Sequence, residues 1–165
     1  MPGYLIIDGY NAISKIRELE SKKDISLEAS RTHFIKILMD FMARKREFDK
    51  IFLVFDSSEK ELGIRRQSYG NIEVIFATDY KDADAVIVDI LRNSSNKDRM
   101  SVSSDDNFVR NHSRVYGATA LSIKELEDLI MLKKKSLRGK IKEKDLEADF
   151  IKDINEELKK RWRLK

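Results

Sequence analysis

The chain has 165 residues, 41% hydrophobic and 38% charged, enough to bury a core of its own; with no cysteine, disulfides and thiolate zinc sites are excluded. No apolar run approaches the ~18 residues of a membrane span, and Asp8 interrupts the stretch where a signal peptide would stay apolar, so a soluble, cytoplasmic protein is expected. The net charge of +4 is unevenly spread: residues 133–165 hold 13 basic and 7 acidic side chains against 20 and 22 in residues 1–132, so a slightly acidic body carries a basic tail suited to polyanions such as RNA, DNA or a ribosomal surface.

Tyr4-Leu5-Ile6-Ile7 is an unbroken apolar run of the kind found in buried parallel strands, and it stops at Asp8-Gly9, where the glycine suits a tight turn. Ser26 is placed to cap a helix to about Glu47, with Leu27, Phe34, Leu38, Phe41 and Met42 near helical spacing. A second strand, Ile51 to Phe55, again stops at an acid, Asp56. Residues 59–71 read as a polar connection whose Arg65 and Arg66 face solvent, before a third strand from Ile72 to Phe76.

Asp82 is placed to cap the next helix, where Val86, Ile87, Ile90 and Leu91 form an apolar stripe and Asp84 falls in the first turn. After a loop from Asn93 to Asp98, Met100 to Ser103 forms a fourth short strand ending in Ser104-Asp105-Asp106, and a helix through Phe108, Val109 and His112 closes at Gly117. Thr119 to Leu121 makes a fifth strand, and Ser122 with Glu125 is a capping box opening a helix to about Lys135. In the tail, Leu146, Phe150, Ile154, Leu158 and Trp162 recur every four residues, the mark of one more amphipathic helix. The expected division is a body of alternating strands and helices, residues 1–132, and a basic helical extension, residues 133–165.

Alternating strands and helices with nearly continuous apolar strands predict an α/β sandwich around a mostly parallel sheet of about five strands. Parallel strands end on one edge, where such sheets bind ligands, so Asp8, Asp56 and Asp105 are expected to share a crevice, with Asp84 completing it. Carboxylates gathered in one cleft repel one another and call for a positive partner; Mg²⁺ or Mn²⁺ fits, being held by few carboxylates plus waters. Asn11 suits a supporting hydrogen bond to a ligating acid or a water, Ser103 and Ser104 suit orientation of Asp105 or contact with phosphate, and Asp82 and Asp106 stand in reserve. Arg65, Arg66 and Lys81 are expected to contact phosphates from loops beside the crevice.

Other chemistries lack their residues. His33 and His112 lie inside predicted helices away from the strand ends; no serine sits in a nucleophile elbow, and there is neither a Walker lysine loop nor Gly-x-Gly-x-x-Gly, so no nucleotide cofactor is expected. A haloacid-dehalogenase phosphatase would want an acid where Tyr10 stands, and a Toprim site lacks its glutamate after the first strand.

Ile6-Ile7-Asp8-Gly9-Tyr10-Asn11, Val54-Phe55-Asp56, Asp82-Ala83-Asp84-Ala85-Val86-Ile87 and Val102-Ser103-Ser104-Asp105 followed by Gly117-Ala118 resemble, in order, the motifs of YacP-like NYN proteins of the PIN-like nuclease superfamily. The resemblance spans about residues 4–126. It implies a PIN-like sandwich, a divalent metal and endoribonuclease activity, with mRNA cleavage in association with ribosomes in one bacterial branch. It matches Asp8, Asp84 and Asp105 to metal-binding positions, Asn11 to the polar residue after the first strand and Asp56 to the acid after the second. One departure is that many relatives carry an acid just before the helix start where this chain has Lys81-Asp82-Ala83-Asp84, so that either Asp82 substitutes or the site holds fewer acids. The rival reading is a PIN-like module that binds RNA or the ribosome without turnover.

Overall fold

The computed structural model describes residues 3–23, 25–56, 65–77 and 82–131. In chain order these form β1 (Gly3–Asp8), α1 (Gly9–Lys15), α2 (Arg17–Lys23), α3 (Leu27–Arg44), β2 (Phe48–Asp56), β3 (Arg65–Tyr69), β4 (Ile72–Ala77), α4 (Ala83–Asn93), β5 (Met100–Ser103), α5 (Asn107–Val115), β6 (Thr119–Leu121) and α6 (Ile123–Ile130). The expected helical extension, with Leu146 to Trp162, lies outside the described residues.

The sheet has six strands in the order β3-β4-β2-β1-β5-β6, all parallel except β3, which runs antiparallel to β4 at one edge. Helices α4 and α5 cover one face, where Ile6, Val54, Ile75, Val86, Ile87, Leu91, Val102 and Val109 interlock. Helices α1, α2, α3 and α6 lie on the other, with Phe34, Leu38, Phe41, Leu126 and Ile130 fully or almost fully buried. Double coverage is why β1, β2 and β4 read as continuous apolar runs rather than alternating ones.

The strand added to the expected five is β3. Its sequence, Arg-Arg-Gln-Ser-Tyr, carries no apolar signal because an edge strand buries little; Gly70, at φ +61°, makes the tight turn that folds it back onto β4. The expected solvent-facing connection is therefore a strand from Arg65 onward. Helices α1 and α2 arise where no helix is expected, since Gly9-Tyr10-Asn11 resembles a turn; burial of Ala12, Ile13, Ile16 and Leu19, with α1 on β1 and β2 and α2 on α3, overrides that local preference. Helix α3 stops at Arg44 rather than Glu47 because Lys45 turns extended and β2 begins early, at Phe48, whose ring lies 6.4 Å from that of Phe41.

Gly9 is required by proximity rather than by a left-handed turn. Its φ is not positive, but a Cβ there would stand 2.3 Å from the buried Phe55 ring and 2.8 Å from the Val54 carbonyl oxygen. The first turn of α1 is thereby pressed against β2, which fixes where Asp8 ends β1.

Candidate active site

The chain runs outward from β1 to β2 and β4, then returns to place β5 on the opposite side of β1. A crevice opens at such a reversal, beyond the carboxyl ends of the strands. Asp8 closes β1 there and Asp56 closes β2, with Ser104 and Asp106 following β5 and Asp82 and Asp84 opening α4.

Each acid is anchored differently. Asp8 is only 9% exposed and accepts a 2.9 Å hydrogen bond at Oδ2 from the hydroxyl of Ser104, itself fully buried. Asp56 Oδ1 accepts from the Ala83 N–H at 2.7 Å, stapling the end of β2 to the start of α4. Asp82 caps α4 through the Ala85 N–H, and Asp106 caps α5 through the N–H groups of Phe108 and Val109. In these bonds Asp56, Asp82 and Asp106 each use Oδ1.

The acids act on one another electrostatically. Burial pushes the Asp84 carboxyl up to about 6, and the charges of Asp106, Asp8, Asp82 and Asp56 push in the same direction. Burial likewise raises Asp8; the Ser104 hydrogen bond opposes this, Asp106 and Asp56 add to it, and the Asn11 backbone N–H opposes it again. Two carboxyls raised in one crevice mark it as a place where charge is concentrated rather than neutralised.

Asp105 is engaged differently. Its Oδ2 accepts from Lys15 Nζ at 2.8 Å, its Oδ1 from the Ile123 N–H at 3.0 Å, and its own N–H donates to Asn11 Oδ1 at 2.9 Å. Burial acts to raise its carboxyl, but the Lys15 hydrogen bond, the Ile123 N–H and the charges of Lys15 and Arg110 outweigh burial and hold it below the usual range. Asp105 thus clips α1 and α6 to the loop after β5, while its neighbour Asp106, kept in reserve on sequence grounds, joins the field around Asp8 and Asp84. Nothing in the sequence separates the two acids; their opposite directions come from the turn into α5.

Other expected residues are placed as follows. The Asn11 side chain holds the Asp105 backbone N–H, and the Asn11 backbone N–H acts on the Asp8 carboxylate. Ser104 is buried and donates to Asp8, with the Asp106 N–H donating to its Oγ. Arg66 is a strand residue bound to Glu73 at 3.0 Å, not a loop residue beside the acids. The Arg65 side chain and Lys81 lie outside the described residues. His33 meets Glu18 and His112 meets the Phe108 carbonyl.

Among the described residues, no three acidic or histidine side chains form a ready-made metal cage. The donor chemistry nonetheless suits a hard divalent cation, because the crevice offers oxygen alone and its raised carboxyls are those a cation would pull back down.

The fold has counterparts among solved structures. The crystal structure of the W164L mutant of Rae1 (YacP) from Bacillus subtilis is similar over 84% of this chain and 80% of that one, at 23% identity and a TM-score of 0.65. A second crystal structure of Rae1 (YacP) from Bacillus subtilis is similar over 97% of this chain and 94% of that one, at 22% identity and a TM-score of 0.56. No curated protein sequence matches. The model of the YacP-like NYN domain matches residues 5–164, nearly the whole chain. The chain belongs to the YacP-like NYN domain family, within the PIN-like nuclease superfamily.

Proposed function

We propose that this protein is a metal-dependent endoribonuclease that hydrolyses RNA phosphodiester bonds using Mg²⁺ or Mn²⁺. The observation that carries the reading is the pair of raised carboxyls, Asp8 and Asp84, in the crevice of a PIN-like sheet. Asp8 and Asp84 would hold the ion, with Asp106 the best-placed third acid and Asp56 beside it. Asp105, expected in that third place from the order of motifs, would join only if Lys15 released it. When bound, a divalent cation neutralises phosphate charge and activates water for attack at phosphorus, so no protein nucleophile is needed.

The chain's own residues set up that arrangement. Ser104 donates to Asp8 Oδ2 and so fixes the rotation of the carboxylate. The link from Asp56 to the Ala83 N–H sets where α4 begins and therefore where Asp84 stands. The Asn11–Asp105–Lys15 clip holds the loop that carries Ser104 and Asp106. Placing these groups before the substrate arrives is the protein's share of the catalysis.

The ribosome as a site of action, a cytoplasmic location, and residues 133–165 as a separate basic extension complete the proposal. The second reading, an RNA- or ribosome-binding module without turnover, draws support from the Lys15–Asp105 ion pair, which removes one acid from the crevice. Incubating the purified protein with labelled RNA, with and without Mn²⁺ and ribosomes, separates the two. Cleavage that stops with EDTA and with Asp8→Asn supports the nuclease; RNA retention indifferent to both, with no cleavage, supports the binder.

A further inference from the structure

At the opposite end of α4 the same sheet face carries a second feature. Helix α4 has 11 residues, about 16 Å of helix, while β2 beneath it has nine, about 30 Å of strand. The helix begins at the acids and stops at Asn93, so that among the described residues the amino-terminal ends of β1 and β2 are left uncovered on that side. The result is a cavity of about 590 Å³.

Its floor is aromatic. Tyr4 and Phe52 are both half-buried, their ring centroids 6.4 Å apart, and Ile90 and Met100 flank them. Lys50 and Arg66 stand on one side; Lys50 Nζ lies 4.8 Å from the Phe52 ring centroid, and both cations contact the single carboxylate of Glu73. Two cations against that one acid leave one positive charge on this side, while Asp89, which also lines the cavity, is paired with Arg92. The carboxamides of Asn93 and Asn96, each able to donate and accept, line another part of the wall.

Flat apolar rings, amides that pair with base edges and a cationic flank together match a nucleobase with its phosphate, the unit that single-stranded RNA presents. We propose that this cavity is a subsite for one nucleotide of a single-stranded RNA whose scissile phosphate lies at the acids, an inference that rests on the nuclease reading above. Tyr4 and Asp8 are four residues apart on β1, about 13 Å, and α4 joins the two places, so a chain lying along α4 would span them in a few nucleotides. A base held here would fix the distance from a recognised nucleotide to the cut.

The test uses the full-length protein in EDTA with a 4-thiouridine-containing, 12-nucleotide single-stranded RNA. Tyr4→Leu, Lys50→Gln and the pair Asn93→Ala/Asn96→Ala should each weaken binding by about fivefold or more, and photocrosslinks should map to the peptides carrying Tyr4 and Phe52. In Mn²⁺ the same variants should cut at altered positions. Parental affinity in all three variants together with an unchanged cleavage pattern overturns the subsite while leaving the nuclease reading intact. Weakened binding and cavity crosslinks without cleavage by any form overturn the nuclease reading and leave the RNA site standing. Should nucleoside 5′-monophosphates shift the Tyr4 and Phe52 NMR signals while RNA does not, the cavity takes free nucleotides and the RNA assignment falls.

Discussion

The two ends of the sheet treat charge in opposite ways. At the carboxyl edge, Asp8 is buried and Asp84 half-buried among other acids, and both carboxyls are raised. At the amino edge, burial also acts to raise Glu73, but Lys50 at 2.9 Å and Arg66 at 3.0 Å outweigh it and hold that carboxyl low. One sheet can pair a half-buried acid with cations, as the lower edge shows, so the mutually repelling acids of the upper edge are a local feature that folding does not require. Stability withheld at one place is the pattern expected of a functional site.

The strongest way to break this contrast is to neutralise the upper edge. Asp8→Asn or Asp84→Asn should lower metal-dependent RNA cleavage by about 10²–10³-fold or more. The same changes remove repulsion, so the melting temperature in EDTA should stay level or rise, by about 2–4 °C for each kcal/mol recovered. Activity and melting temperature falling together in both variants would mean that these acids serve the fold, and the contrast would be lost.

A smaller effect separates two neighbours. Asp106→Asn keeps a residue suited to capping α5 while deleting a charge from the crevice; Asp105→Asn leaves the crevice field almost alone and weakens the clip to Lys15. Cleavage should therefore suffer more from Asp106→Asn, with Asp105→Asn costing about tenfold through lost positioning. The reverse ranking, measured as kcat/KM at saturating Mn²⁺, would return Asp105 to the metal and make the Lys15 ion pair a contact that must open.

These neighbours also mark where the sequence stops being informative. Buried parallel strands write themselves as apolar runs, which is why β1, β2 and β4 are legible, and the caps at Ser26, Asp82 and Ser122–Glu125 all form with the expected partners. The edge strand β3 is polar because one side has no neighbour, and α1 is hidden because a glycine needed for contact with Phe55 looks like a turn. The crevice follows from strand order, but which of two adjacent acids enters it depends on a backbone direction that residue types do not encode. The lower cavity, produced by a helix shorter than the strand it covers, has no sequence motif at all.

A pH series sharpens the comparison at moderate effect. The folded Asp84 carboxyl titrates near 6, above its ordinary 3.8, so its contribution to stability is fully present below about 3.8 and is lost as pH rises through 6. In EDTA, the stability gap between Asp84→Asn and the parent protein should be near zero at pH 4 and grow toward pH 7.5. Affinity for Mn²⁺ should run the other way in the parent, falling as the pH drops below 6 and protons compete for the same carboxylate. A gap independent of pH, measured by urea unfolding, would remove Asp84 from the repulsive cluster.

The smallest expected effect lies at the lower edge. Glu73→Gln deletes an acid that two partly exposed cations share, so the loss of stability should be limited to about 1 kcal/mol or less. The released Lys50 and Arg66 remain beside the aromatic floor, now without a carboxylate to compete with phosphate. RNA binding in EDTA should then tighten a few-fold at low salt, and the slope of log K against log salt should steepen by up to about 0.7 for each further phosphate engaged. An acid that weakens binding when present and scarcely affects folding when removed would be acting as a brake on RNA retention. If Glu73→Gln instead weakens binding, its role is to hold the two cations in place, and the lower edge depends on its ion pairs for geometry as much as for charge.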